Sequence, residues 1–218
     1  MKKYFCLLVL SALFVGCSSD GSREIQIDEC EYTPLFDHDN KDKMEKFTKL
    51  MSVFEVVPGK YELAWKLVDD VPQLQNYAVS LKLKLRLKKK VNVKEEIINQ
   101  YSEAEKDHVP YVDYSIPFHF QLLDPNGKVY DSVQSFSLED ASLEEIRHNN
   151  VYFNKDQTMD FLRFLQSEPG TEIELLLYAI GHKNANWNCI DACKNAKGII
   201  CVLHHEDESV EESFGTIQ

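Results

Sequence analysis

The sequence predicts a mostly β protein, a single antiparallel β-sandwich with short helices in the connections. Three observations support this fold class: one long segment that alternates strictly between apolar and polar residues, several shorter alternating segments, and turn-forming Pro, Gly and Asn residues between them. About six to eight strands of this kind, with no internal repeat and no second domain boundary, favour two packed sheets around one core.

The first predicted elements of the folded domain begin at residue 41. Residues 41–54 place apolar side chains at helical spacing, but the adjoining run 53–57 is β-branched. The segment therefore predicts either a short helix or an irregular lead into a strand. Behind the turn signal Pro58-Gly59, residues 60–68 alternate and predict a strand with Trp65 on its core face.

The strongest pattern lies at residues 77–93. Apolar residues occupy the odd positions up to Leu87, while Ser80, Lys82, Lys84, Arg86 and Lys88 occupy the even ones. A helix would spread leucine and lysine over every side, whereas a strand separates them onto two faces. The pattern predicts a long strand with one covered face, as is usual in antiparallel sheets.

The later elements follow from changes of period and from turn residues. In chain order they are a helix over 92–104, a strand over 112–122, a turn at 124–127 with a return strand over 129–138, one helical turn at 142–147, a helix over 158–167, a central strand over 172–180 and a short strand over 198–203.

The N-terminus has the features of a secretory signal peptide. Lys2 and Lys3 precede an apolar run over residues 5–15, which is shorter than the roughly 20 residues that span a bilayer. Residues 13–17, with Gly16 directly before Cys17, resemble the lipobox of bacterial lipoproteins. This resemblance implies cleavage before Cys17 and acylation of Cys17 by palmitate-type chains, which anchor the protein to a membrane.

Ser18, next to that cysteine, resembles lipoproteins that are passed to an outer membrane, so we expect an outer-membrane lipoprotein that faces the periplasm or the cell surface. We divide the chain into a signal peptide (1–16), a lipidated tether and lead-in (17–40), the β-sandwich domain (41–205) and an acidic tail (206–218). The turn phrase at 122–128 resembles those of immunoglobulin-like sandwich lipoproteins of unknown function, which implies the same fold for the body.

Charge limits the partners. Removal of residues 1–16 takes away Lys2 and Lys3, leaving 22 basic and 36 acidic side chains and a formal charge of −14. This balance opposes nucleic-acid binding. Lys82, Lys84, Arg86 and Lys88, here called the basic stripe, are a weak candidate for binding a polyanion. The alternative is a solvated sheet face whose lysines pair with acids across strands.

Four cysteines remain after processing: Cys30, Cys189, Cys193 and Cys201. An even number in an exported chain predicts disulfides, and we favour Cys193–Cys201 with Cys30–Cys189. A Cys189–Cys193 bond requires residues 188–194 to be helical, because an extended segment separates the two Cα atoms too widely. Zinc bound with His204 is the alternative, but the spacing matches no zinc motif, so we predict no metal and no cofactor.

The sequence carries no recognisable catalytic motif, so we do not predict an enzyme. Trp187, in the loop 184–188, is a candidate for stacking on sugars, and it can equally pack over a core edge. The first hypothesis is a lipid-anchored, non-enzymatic module that binds a protein or glycan partner. The second is an assembly subunit that pairs through a sheet edge, and an enzyme or metal site at the Cys/His cluster is the third.

Overall fold

The computed structural model describes residues 20–30, 41–99, 118–140, 152–153, 155–203 and 214–218. In this part the chain is mostly β, with antiparallel sheets. The strands are β1 (Gly21–Ile27), β2 (Phe54–Val56), β3 (Gly59–Val71), β4 (Leu74–Leu87), β5 (Val91–Val93), β6 (Phe118–Leu123), β7 (Glu139–Asp140), β8 (Tyr152–Phe153), β9 (Glu172–Lys183), β10 (Gly198–Leu203) and β11 (Gly215–Ile217); the helices are α1 (Lys41–Val53), α2 (Lys155–Leu165) and α3 (Cys189–Asn195).

Strand β4 is the centre of the main sheet. It pairs with β3 and β2 along one edge and with β9 along the other, and β1 pairs with the outer edge of β3. The leucines at its odd positions are buried, while Lys82 on the opposite face is exposed. The predicted strand is therefore confirmed, although it ends at Leu87 instead of running on to Val93.

The short irregular segment that contains Phe136 and Ser137 joins the main sheet to a second pair of strands, β6 and β10. Strand β10 pairs with β6, and the N–H of Phe136 donates to the carbonyl of Phe120 at 2.7 Å. The next residue, Ser137, exchanges two backbone hydrogen bonds with Tyr178 of β9, at 2.9 and 3.0 Å. The predicted return strand over 129–138 thus pairs on both sides, but only through isolated bridges.

Aromatic side chains join the helices to the strands in the core. Phe118 lies 5.0 Å from Phe54 and 5.5 Å from Phe161 of α2, measured between ring centroids. Phe214, close to the C-terminus, lies 6.0 Å from Phe161. Contacts of this kind each contribute about 0.5–1.5 kcal/mol beyond the area they bury. Of the helices in the described ranges, none is long and apolar enough to cross a membrane.

Several elements differ from the sequence prediction. Residues 21–27, assigned to the lead-in, form β1, because Ile25 and Ile27 bury one face of an otherwise polar strand. The end of the predicted acidic tail returns to the body as β11, which pairs with β5 beside the buried Phe214. Helix α3 was not predicted.

The segment 41–53 is helical, and the predicted helix over 158–167 and strands over 60–68, 172–180 and 198–203 are confirmed. The helix predicted over 92–104 starts later than expected: residues 92 and 93 belong to β5, which pairs with β11, and residues 95–99 are helical. The signal peptide, Cys17, the remainder of the 92–104 helix, the helical turn at 142–147 and His204 lie outside the described residues.

Candidate functional site

The three longest strands end in polar residues next to the β3–β4 hairpin. Two neighbouring rows of polar side chains cross β3, β4 and β9 here, and we call them the polar end. The rows consist of Asp70, Gln75 and Lys183 and of Asp69, Asn76 and His182. Because consecutive strand residues point to opposite faces, each face of the sheet carries one row.

A cleft of about 540 Å³ lies at the polar end. It is bounded by residues 70–75, which form the tip of the β3–β4 hairpin, and by residues 183–185 at the end of β9. Val71 at the hairpin tip is 38% exposed, so the cleft combines an accessible apolar surface with polar groups. Such a combination is typical of small-molecule sites, where a few polar groups orient a ligand on an apolar wall.

A hydrogen-bonded chain connects the cleft to the core. The hydroxyl of the buried Tyr77 donates to Gln75 Oε1 at 3.4 Å, and Gln75 Nε2 donates to Asp70 Oδ1 at 3.1 Å. Gln75 is thereby held in one orientation, with its amide fixed by two partners. The second carboxylate oxygen of Asp70 can accept from a ligand hydroxyl.

Trp187 belongs to the turn that follows β9, whose first residues, Asn184 and Ala185, line the cleft. In this turn, Asn184 Oδ1 accepts from the N–H groups of Asn186 and Trp187 at 2.7 and 3.0 Å, and the N–H of Asn184 donates to the Trp187 carbonyl at 2.7 Å. Lys183 and Asn188 form a β-bridge at its base. The backbone is therefore well fixed, while the indole remains 46% exposed.

On the opposite face of the polar end, His182 is held between two amides. Its Nδ1 lies 2.9 Å from Asn76 Oδ1, and its Nε2 lies 3.2 Å from Gln134 Nε2. Because an amide oxygen only accepts, Nδ1 carries the proton and Nε2 accepts from Gln134. Burial lowers the pKa of His182, so the imidazole is neutral near pH 7.

Three members of the basic stripe, Lys82, Lys84 and Arg86, are paired with glutamates across the sheet. The distances are 2.8 Å for Lys82–Glu174, 3.9 Å for Lys84–Glu172 and 2.6 Å for Arg86–Glu172. Lys88 lies beyond the end of β4, where its N–H donates to the carbonyl of Val53. The structure thus agrees with the alternative interpretation, a solvated sheet face whose basic side chains pair with acids on neighbouring strands. This pairing leaves little net positive charge to attract a polyanion.

In this structure Cys30, Cys189, Cys193 and Cys201 are buried thiols, and no S–S bond joins any two of them. Burial raises the pKa of Cys189 and Cys193 to about 12, and that of Cys201 well above its usual range. Since the thiolate is the reactive form, these sulfurs are poor nucleophiles in the folded protein. The residues that the structure describes contain no group of three or more His, Cys, Asp or Glu side chains arranged to hold a metal ion.

Sequence reasoning singled out Trp187 but did not find the cleft. Asp70, Gln75 and Lys183 are each unremarkable in the sequence, and only the pairing of β3, β4 and β9 brings them together. The Pro72-Gln73 pair between two alternating segments was the available signal for a hairpin tip. Comparison of this chain with protein-family models, with curated proteins and with solved structures finds no match.

Proposed function

We propose that this protein is a lipid-anchored, non-enzymatic module that binds a neutral glycan at the cleft beside Trp187. Under this proposal Cys17 carries the lipid in the outer membrane, and the body, an immunoglobulin-like β-sandwich, faces the periplasm or the cell surface. The observation that carries the binding proposal is an exposed indole on a hydrogen-bonded turn whose first residues, Asn184 and Ala185, line a cleft with oriented polar groups.

The polar and apolar groups at the cleft support a sugar as the ligand. A sugar ring presents hydroxyls, which both donate and accept hydrogen bonds, and an apolar face of C–H groups. The amides of Gln75 and Asn184 offer donors and acceptors, Asp70 offers an acceptor and Lys183 a donor. An exposed indole supplies a flat apolar surface at little conformational cost, which suits stacking on the C–H face.

The charge balance supports a neutral ligand. One carboxylate and one ammonium group lie at the cleft, and the rest of the mature chain is strongly acidic. An acidic polymer would be repelled by that field, and the basic stripe that could attract it is paired with glutamates.

The position of β1 supports a body that lies close to the membrane. Three residues separate Cys17 from Gly21, where β1 begins, so the anchor and the folded body are at most about 14 Å apart along the chain, a distance of four residue steps. A protein held in this way can present the cleft to polymers of the envelope.

A glycan array with the lipid-free chain, residues 18–218, tests the proposal. We expect binding to neutral glycans, and we expect Trp187→Ala to reduce the affinity at least tenfold, which corresponds to about 1.4 kcal/mol. Gln75→Ala, which removes an oriented amide, should also weaken binding. Leu176→Ala is the matched control, because Leu176 is an exposed apolar residue, at 36%, in the middle of β9 opposite Lys82, seven residues before the end of the strand at which the cleft lies.

Equal losses from Trp187→Ala and Leu176→Ala, or binding to acidic glycans alone, would contradict the proposal. Size-exclusion chromatography of the same chain addresses the assembly alternative, in which the chain pairs through a sheet edge. A glycan-binding module should elute as a monomer, whereas an assembly subunit should self-associate.

A further inference from the structure

The structure brings the segment at the end of β1 against β10, and each of the two carries a cysteine, Cys30 and Cys201. Cys30 follows β1, and its Sγ lies 3.8 Å from the carbonyl oxygen of Ile199 in β10. Arg23 of β1 donates to the carbonyl of Ala196 at 2.6 Å, two residues before β10 begins. Arg23 and Cys30 are seven residues apart in sequence, and their two contacts hold this segment along the start of β10.

The alternation of β10 places Cys201 on the core face, in the same buried cluster as Cys30. Ile199 and Cys201 are both fully buried in the main core, while Ile200 and Val202 pack in a separate cluster on the other face. Cys201 therefore lies one step along the same face as Ile199, roughly 6.6 Å away between Cα atoms. Cys30 belongs to the same core cluster and is 4% exposed.

The other two cysteines are not placed for a bond. Cys189 and Cys193 lie one turn apart on α3, where Cβ atoms are about 5–6 Å apart, whereas a disulfide requires a Cβ separation of about 3.8 Å. Cys189 also packs tightly on β9, since a Cβ built on Gly181 would lie 2.9 Å from its Cβ. Bonding the pair would distort the helix and disturb this packing.

We propose that Cys30 and Cys201 form a disulfide in the exported protein, and that Cys189 and Cys193 remain buried thiols. This pairing replaces the predicted Cys193–Cys201 and Cys30–Cys189 bonds. It joins the segment that leads from the lipid anchor to a strand in the core, so that a pull on the anchor is borne by a covalent link as well as by β1.

The chemistry requires an external oxidant. The two thiols lose two protons and two electrons as the S–S bond forms, and a disulfide of an exchange partner in the export compartment takes up the electrons and becomes two thiols. Attack requires a thiolate, and burial suppresses the thiolate of Cys201 in the folded state. The bond therefore forms during folding, before β10 is covered.

This inference rests on the proposed export of the chain, and the experiment separates the two. The full mature lipoprotein, extracted from membranes in mild detergent, is alkylated, digested without reduction and analysed by mass spectrometry. In parallel, the reduced chain is refolded in a glutathione redox buffer, where cellular location has no influence. We expect a Cys30–Cys201 linked peptide in both samples, with Cys189 and Cys193 recovered as alkylated thiols.

Four alkylated thiols after oxidative refolding, or a peptide that links Cys193 to Cys201, would overturn the pairing. A linked peptide after refolding together with reduced cysteines in the membrane extract would support the pairing and contradict the proposed compartment.

Stability provides a second readout with a matched control. Reductant should lower the denaturation midpoint of the wild-type protein and of Cys189→Ala. It should leave the midpoint of Cys30→Ser unchanged, because that variant has no such bond to lose. A reductant effect that persists in Cys30→Ser would contradict the assignment.

Discussion

Replacement of Leu83 by alanine tests the face assignment of the central strand. Leu83 is fully buried, and its partner in the register, Leu175 of β9, is 2% exposed. Removing its isobutyl group forfeits the transfer free energy and leaves a cavity, so we expect the free energy of unfolding to fall by about 3 kcal/mol, within the range of about 2–5 for such sites.

The adjacent residue supplies the control. The side chain of Lys84 is 42% exposed and lies 3.9 Å from Glu172. Because an exposed ion pair of this kind contributes little, we expect Lys84→Ala to cost less than about 1 kcal/mol.

Urea denaturation of residues 18–218, followed by circular dichroism, measures both values. The comparison assumes that the free energy of unfolding falls with urea concentration at the same slope in both variants. Similar losses for Leu83→Ala and Lys84→Ala would refute the assignment, since they would mean that both faces of β4 are covered. A shift of the slope in Leu83→Ala alone would indicate a changed denatured state instead of a cavity.

Three further predictions follow from the anchor, a close contact and a histidine. Cys17→Ser should leave an uncleaved precursor without lipid label, and membrane fractionation that finds normally labelled, pelleting protein would contradict the lipoprotein assignment. Gly181→Ala should cost about 1–3 kcal/mol in urea melts, because the new methyl group would lie 2.9 Å from Val79 Cγ2. The pKa of His182 is lowered by burial, so on acidification the unfolded state takes up a proton before the folded state does. The contribution of His182 to the free energy of unfolding should therefore be fully present above about pH 6.5 and decrease as the pH falls toward the pKa of the folded state. His182→Gln should make the free energy of unfolding less dependent on pH in this range.

Helix α3 and strand β1 illustrate where sequence reasoning stops. Helix α3 has seven residues, too few to establish a period, and Asn188 accepts from Asp191 at its start as an N-cap. Strand β1 buries only Ile25 and Ile27 among polar neighbours, so its composition resembles a tether. Both elements form because neighbouring strands and core surface are available to them, which a local pattern does not report.

The cleft shows the same limit for function. The sequence identified Trp187 as the one loop tryptophan, but whether its ring packs down or faces solvent depends on the hydrogen bonds of its turn. Asp70, Gln75 and Lys183 are more than a hundred residues apart at the extremes, and they form one row only through the register of three strands.

By itself the sequence determined the mostly β class, the long amphipathic strand and the strong acidic charge, because alternation and composition are local properties that every fold of the chain must satisfy. The tertiary structure alone decided which distant residues meet: the paired basic stripe, the polar end and the approach of Cys30 to β10. The physical reason is that register is set by the burial of one whole sheet face against the core, a cooperative choice that no single segment encodes.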